Sequence, residues 1–362
     1  MQIFFIYQSG IVTDLEATKY INEAHHFIAT GQYTTNNYLF YSVQILLIAF
    51  CLKLHIGFWF VVLIQIIFNG ISVICFYKII EKISNYKWLP FLCTLYFLSL
   101  FYYHLFNTFL FTESLFFSIS IIYTYVLFSI KELKFKSVSI ILLFLGLLYF
   151  TRPTGIFFIP ATYFYLIIRF FPKKAFLVIA VSGIIGIFGL FFLLNYSLGS
   201  GGELDFLLPY IDERIICGVP TIVIPHQFAV PVEKNSVQGL FYIITHYPDL
   251  FFRLAFKRLS AFFGVMRSYY SFSHNLIVAV YFYFTYFIIL FNIRNLFGTN
   301  KPQVWFLLTN IILVTVTVML SCDEWSNRFI FSVTPFLLLL AVSGINNKIQ
   351  KINAGNSAGR NK

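Results

Sequence analysis

The sequence predicts an all-α fold: a polytopic bundle of about ten membrane-spanning helices, with amphipathic helices lying at its outward interface. Three observations predict it. Hydrophobic residues make up 59% of the 362 and charged residues only 11%, against about a quarter charged in a soluble domain, so polar groups are too few to cover a water-facing surface. The apolar residues gather in runs near the 20 or so needed to cross the hydrocarbon core. Lys and Arg collect in the short connections between the runs, as the positive-inside rule requires of cytoplasmic loops. That rule also accounts for the net charge of +11 without nucleic acid.

Taken in order, Met1 to Tyr7 are apolar but too few to span. They either lie in the interface or remain from a clipped first spanning helix. They lack the basic flank and small-residue cleavage site of a signal peptide. Residues 8–36 form the first polar stretch. Spans are expected near 38–54, 57–77, 88–111, 114–130, 137–150, 153–168, 175–195, 275–293, 302–322 and 329–345, in one domain covering 1–345. Thr151-Arg152-Pro153-Thr154-Gly155 interrupts the fifth and sixth, which read as a broken helical pair. Residues 196–274 form a large outward loop. Residues 346–362 form a polar, disordered cytoplasmic tail.

Four basic clusters mark inward loops: Lys131, Lys134 and Lys136; Arg169, Lys173 and Lys174; Arg294 and Lys301; and the tail from Lys348. These agree with one another if 196–274 is outward. Lys78, Lys82 and Lys87 also read as inward, yet counting whole crossings back from them would place 8–36 inward. One segment between 37 and 130 is therefore not a simple crossing, or one basic loop breaks the rule.

The acids are scarce enough to place singly. If the polar stretch, the helix edge at Glu113, the large loop and the last short loop share a side, that side holds all of the 14 Asp and Glu except Glu81 and Glu132. Acids contribute little to topology, so the asymmetry suggests a chemical surface; plain solvation is the bland alternative. Of the five cysteines, Cys51, Cys75 and Cys93 sit in apolar runs as packing residues. Cys217 and Cys322 fall in predicted outward loops and could pair, although free thiols are the simpler reading.

The stretch from Asp14 to Phe27 has helical spacing, with Asp14, Ala17 and Ile21 near one face and Glu16, Tyr20, Glu23 and Phe27 on another. Thr13 or Asp14 could cap it, and Gly31 would end it. Its opening carboxylates could hold a general base, or could simply favour the helix dipole. Further on, Arg253, Lys257, Ser260, Gly264 and Arg267 recur at intervals of four, three, four and three, a polar stripe on an otherwise apolar helix. That pattern reads as an interfacial helix whose cations could hold a lipid phosphate or merely anchor to anionic lipid. Arg152 and Arg328 add two outward cations, against the insertion rule, and ionisable groups at membrane depth are functional candidates.

Four stretches then resemble the GT-C superfamily of membrane glycosyltransferases, in particular the family 39 group of protein O-mannosyltransferases and lipid A aminoarabinose transferases. They are Asp14-Leu15-Glu16 followed by Tyr20 and Phe27-Ile28-Ala29-Thr30-Gly31-Gln32-Tyr33; Thr112-Glu113-Ser114-Leu115; Thr151-Arg152-Pro153-Thr154-Gly155 followed by Pro160; and Asn327-Arg328-Phe329 followed by Pro335. Together they span nearly the whole chain. The chain departs from the group in lacking a spanning helix before the acidic loop and room for a soluble C-terminal domain. The resemblance implies inverting transfer of a sugar from a polyprenyl-phosphate donor to an acceptor hydroxyl on a glycan, lipid or protein, on the outer face of the cytoplasmic membrane. Asp14 would be the general base, with Glu16 orienting the acceptor or substituting for it. Arg152, Arg258, Arg267 and Arg328 would stabilise the leaving phosphate, with Tyr20 and Glu113 binding substrate. No cofactor is expected, and a divalent metal on Asp14 and Glu16 is secondary. Asp14 and the arginines are expected to converge over one outward hollow. Two rivals stand beside this reading: a polytopic polysaccharide polymerase or ligase, and a transporter or flippase of lipid-linked sugars, for which the chain shows neither internal symmetry nor midplane charges.

Overall fold

The computed structural model describes residues 2–174, 179–180, 183, 186, 188–189, 191–192, 195, 207–227 and 236–360. The described chain is helical, with strand pairing confined to two isolated bridges. The first helices are α1 (Gln2–Ser9), α2 (Glu16–Thr30), α3 (Ser42–Lys53), α4 (Trp59–Ile83), α5 (Trp88–Leu98) and α6 (Phe101–Leu105). There follow α7 (Glu113–Ser129), α8 (Phe135–Thr151), α9 (Phe158–Phe170), α10 (Leu208–Ile211) and α11 (Val237–His246). The last are α12 (Pro248–Gly264), α13 (Phe272–Phe291), α14 (Lys301–Leu320) and α15 (Arg328–Arg360). Among the described residues five helical stretches are long and apolar enough to cross a membrane, six if α5 and the stretch Phe101–Thr108, bent by 64°, count as one. Helices α7 and α8 are apolar but shorter. The predicted span at 175–195 falls largely outside the described residues.

Burial on α4 runs opposite to a soluble helix. Gln65, Asn69 and Ser72 face inward, while Trp59, Leu63, Ile67, Ile71 and Ile74 are exposed. Such an apolar exterior is stable only against lipid, and inward polar groups find partners inside the protein. Asn69 Oδ1 meets His104 Nδ1 at 3.1 Å, and Gln65 donates to the Phe109 carbonyl at 2.8 Å. Helix α13 repeats the pattern, exposing Val280, Phe284, Phe287 and Phe291 while burying Thr285. The chain is therefore a multi-pass membrane protein.

The chain divides into two compact units. The first comprises Met1–Thr162, Tyr283–Leu308 and Thr334–Lys362. In it α4 packs on α7 and α2 on α3. Helix α7 is buried nearly all round; its Ser118, Ser120 and Thr124 are small enough to admit neighbours, and Ser120 and Thr124 satisfy their hydroxyls on the helix's own carbonyls. Helix α3 has 12 residues, about 18 Å at 1.5 Å per residue, well short of the roughly 30 Å core. The run at 38–54 is thus divided between a 3-10 turn, Asn36–Tyr41, and this short helix, and α3 alone is shorter than a full span. The chain end also differs from expectation. Helix α15 continues to Arg360, and Asn346 and Asn347 are buried because their amides satisfy loop groups: Asn346 accepts from the Asn85 N–H, and Asn347 donates to the Asn295 carbonyl.

The second unit comprises Tyr163–Phe282 and Thr309–Val333. Leu207, Tyr210, Ile243, Phe251 and Leu254 form its apolar core, each contributing about 1.5–3 kcal/mol on burial. Cys217 and Cys322 form a disulfide, reinforced beside it by a bridge in which the Cys217 N–H donates to the Asp323 carbonyl and the Asp323 N–H to that of Ile215. Pairing of these two cysteines displaces the free-thiol reading.

Candidate active site

In the first unit a parallel bridge brings the polar arm to the start of α7. The Val12 N–H donates to the Thr108 carbonyl at 3.0 Å, and the Leu110 N–H to that of Val12 at 3.2 Å. Two residues further on, Leu15 takes the left-handed conformation (φ 55°), and α2 begins at Glu16 with no side-chain cap. The expected cap by Thr13 or Asp14 does not form; the Ala17 N–H closes on the Asp14 backbone carbonyl instead. The Asp14 carboxylate is exposed and, among the described residues, has no hydrogen-bond or ion-pair partner. Gly31 ends α2 as expected, left-handed, with its N–H on the Phe27 carbonyl.

The buried face of α2 carries Ala17, Tyr20, Glu23 and Ala24, so Ala17 joins Tyr20 and Glu23 rather than the opposite side. Glu16 is half-buried, 3.7 Å from Lys19, whose ammonium lies over the Tyr20 and Tyr41 rings. Burial first, and then the neighbouring Tyr41, Glu16 and Glu113, push the Tyr20 phenol well above its ordinary pKa; only Arg152 opposes them. Tyr20 thus shares its surroundings with three other predicted residues: Glu16, Glu113 and Arg152. Glu23 clamps the following turn, accepting from the Thr34 N–H at 2.7 Å and the Thr34 hydroxyl at 2.6 Å.

Glu113 opens α7, where the helix dipole favours a carboxylate. It is fully buried, and Arg152 Nη1 lies 2.8 Å from its Oε1. Arg152 stands at the break after α8. Its N–H still reaches the Leu148 carbonyl, its own carbonyl accepts from the Gly155 N–H at 2.8 Å, and Pro153 starts a 3-10 turn. Gly155 is required there: a Cβ would lie 2.3 Å from the Leu148 carbonyl oxygen. This packing explains the proline and the glycine of the Thr151–Gly155 motif.

The other three arginines lie in the second unit. Arg258, fully buried over the Tyr210 ring, donates to the carbonyls of Arg214, Pro209 and Met319. Burial lowers its pKa. Its three guanidinium nitrogens are committed to holding the loop. Arg267 departs from the predicted stripe because Val265 turns left-handed and ends α12 at Gly264. It folds back, buried, onto Asp323 and the Ala261 carbonyl. Arg328 pairs with Glu324 one turn away. Around them Asn327 donates to the Val265 carbonyl, and both Tyr269 and Tyr270 donate to that of Trp325. Buried polar atoms here still lack partners among the described residues: Arg267 Nε, Ser326 Oγ and Asn327 Oδ1. Burial pushes the Asp323 carboxyl up to about 6, against the pull of Arg267.

Sequence reading also missed a triad formed by Glu213. Arg253 grips both its oxygens, at 2.6 and 2.7 Å, and His226 Nε2 lies 2.9 Å from Oε1. These partners, Arg253 foremost, hold Glu213 down to about 2. Two apolar hollows open on the first unit, lined by Cys51, Leu52, His55, Gly57 and Phe58, and by Ile6, Ile11, Trp59, Val62, Leu63 and Ile66. Neither contains a predicted site residue. Among the described residues no group of three or more His, Cys, Asp or Glu is arranged to hold a metal. Comparison with family models, with curated proteins and with solved structures returns no match.

Proposed function

We propose that this protein is an inverting membrane glycosyltransferase that moves a sugar from a polyprenyl-phosphate donor to an acceptor hydroxyl at the outer face of the cytoplasmic membrane. The observation that carries the reading is the gathering of Glu16, Tyr20, Glu113 and Arg152, with Asp14 two residues before Glu16 in the chain and its carboxylate not spent on the helix end.

The acceptor oxygen attacks the anomeric carbon while its proton passes to the Asp14 carboxylate. The bond from the anomeric carbon to the phosphate oxygen breaks, and the leaving lipid phosphate keeps the electron pair. Arg152 is the cation of this cluster that faces the developing charge, with Glu113 fixing its orientation. Glu16 positions the acceptor, and Tyr20 supplies a neutral, buried phenol beside it. Arg267 and Arg328 lie in the second unit, where they hold Asp323 and Glu324.

Chain crossing supports an outward Asp14. If α3 is too short to cross, α4 runs from the outer face to the inward cluster of Lys78, Lys82 and Lys87, and single crossings by the bent α5–α6 pair, α7, α8 and α9 leave the basic loops at 131–136 and 169–174 inward. The conflict in the crossing count then disappears. The Cys217–Cys322 disulfide fits an outward, oxidising location for both of its loops.

The test is transfer of labelled sugar from a polyprenyl-phosphate donor by reconstituted wild type, Asp14→Ala and Asp14→Asn. Loss of at least about a hundredfold in both variants is expected, within the range for general-base removal. Retained transfer would favour the polymerase or ligase reading. Donor that crosses the bilayer with its sugar intact would favour a flippase.

A further inference from the structure

In the second unit, the stretch Cys217-Gly218-Val219-Pro220-Thr221-Ile222-Val223-Ile224-Pro225-His226 is almost wholly apolar between its ends. Val223 is 98% and Ile224 83% exposed, and Val219 is half exposed. In water such a tip would leave large aliphatic area uncovered.

Yet the loop is held in place at both ends. Cys217 is tied by its disulfide and by the backbone bridge to Asp323. The Thr221 N–H donates to the Asp212 carbonyl, and the His226 N–H to that of Ile211. The His226 ring is fixed on Glu213. Two prolines stiffen what lies between. The structure presents this tip; it does not leave it as slack chain.

Glu213 also fixes what lies beside the loop's foot. The same carboxylate that meets His226 is gripped by Arg253 of α12. The exposed face of α12 continues from Arg253 through Phe252, Phe256, Lys257 and Ser260. Phenylalanines interleaved with cations on one helical face are the composition of a headgroup-layer helix, and aliphatic side chains beside them belong one layer deeper.

We infer that the 217–226 loop is a membrane-dipping finger: Val223 and Ile224 enter the acyl boundary of the leaflet on which the Phe252, Phe256 and Lys257 face of α12 lies. The occupant is a lipid surface and not a protein, because the loop's foot adjoins an amphipathic face with an interfacial composition, in a chain whose spanning helices keep a bilayer always at hand. The inference does not depend on the proposed transferase activity.

The test uses the full chain, with Cys51, Cys75 and Cys93 replaced by alanine and the disulfide kept, reconstituted in vesicles of phosphatidylcholine and phosphatidylglycerol. A nitroxide is placed at Val223→Cys, Ile224→Cys or the exposed loop foot Gln227→Cys, and its collision rates with oxygen and with a water-soluble nickel chelate are compared. Intact Cys217–Cys322 in each labelled protein, read from peptide mass spectrometry without reduction, shows that the unit has folded. The expected result is a ratio favouring oxygen at 223 and 224 and favouring the chelate at 227. Equal chelate access at all three positions, with the disulfide intact, overturns the finger. So does a label shielded from both reagents, which would mean that protein covers the tip.

Discussion

The guanidinium of Arg152 and the carboxylate of Glu113, remote in sequence, meet at 2.8 Å with both side chains buried. A buried pair is weak evidence for net stability, yet breaking it strands a charge, at about 3–5 kcal/mol. Glu113→Ala and Arg152→Ala should each lower the unfolding temperature in detergent by that order of free energy. Glu113→Leu combined with Arg152→Leu should recover much of it while remaining inactive. Single variants as stable as wild type would show that the two charges are not interdependent.

Gly155→Ala should act through Arg152. The added methyl meets the backbone of Leu148 and Tyr149, which cannot move aside as a flexible side chain would. Overpacking of this kind costs about 1–3 kcal/mol, and it displaces the turn that presents Arg152. Sugar transfer by the folded variant should fall more steeply than its stability. A Gly155→Ala protein with wild-type turnover would refute the link.

The Cys217–Cys322 bridge closes a separation of 105 residues, for which the chain-entropy argument gives an upper contribution of about 4.7 kcal/mol. Cys217→Ser and Cys322→Ser should each lower the unfolding temperature, and the double variant should be no worse than either alone. In unreduced, denatured wild type, maleimide should label Cys51, Cys75 and Cys93 only. Labelling of all five cysteines would contradict the pairing.

Two carboxyls give stability opposite dependences on pH. Glu213 is held to about 2 against an ordinary 4.5, so its contribution is complete above 4.5 and is lost as pH falls toward 2. Glu213→Gln should flatten the stability profile in that window. Asp323 is raised to about 6 against 3.8, so the folded state holds its proton more tightly, and the resulting stability is lost as pH rises from 3.8 through 6. Asp323→Asn should remove that decline. A decline unchanged in Asp323→Asn would assign it to another group.

Much of the fold was legible in the residues. The long apolar runs gave most of the helices, Gly31 marked the end of α2, and the Arg152-Pro153 junction marked the break after α8. Hydropathy alone could not separate α3 from a true span, because the apolar run begins in the preceding 3-10 turn and hydropathy does not mark where the regular helix starts. Nor does helical periodicity say which distant charges meet. The pairs Glu113–Arg152, Asp323–Arg267 and Glu213–Arg253 are made by tertiary packing, and the arginines were legible only as scarce cations in outward segments. The stripe through Arg267 failed at one backbone angle, the left-handed Val265. Asp14 was picked out by its sequence context, and the structure adds that no helix end consumes its carboxylate.

Because the partner of Cys217 lies 105 residues downstream, its thiol emerges from the ribosome roughly 5–20 s before Cys322 at ordinary translation speeds. Throughout that interval the nascent loop must stay reduced or trade partners while helices still queue at the insertion machinery. Maturation of this protein therefore includes a covalent act that waits on Cys322, and a cell short of oxidising enzymes would accumulate inserted but unlatched chains.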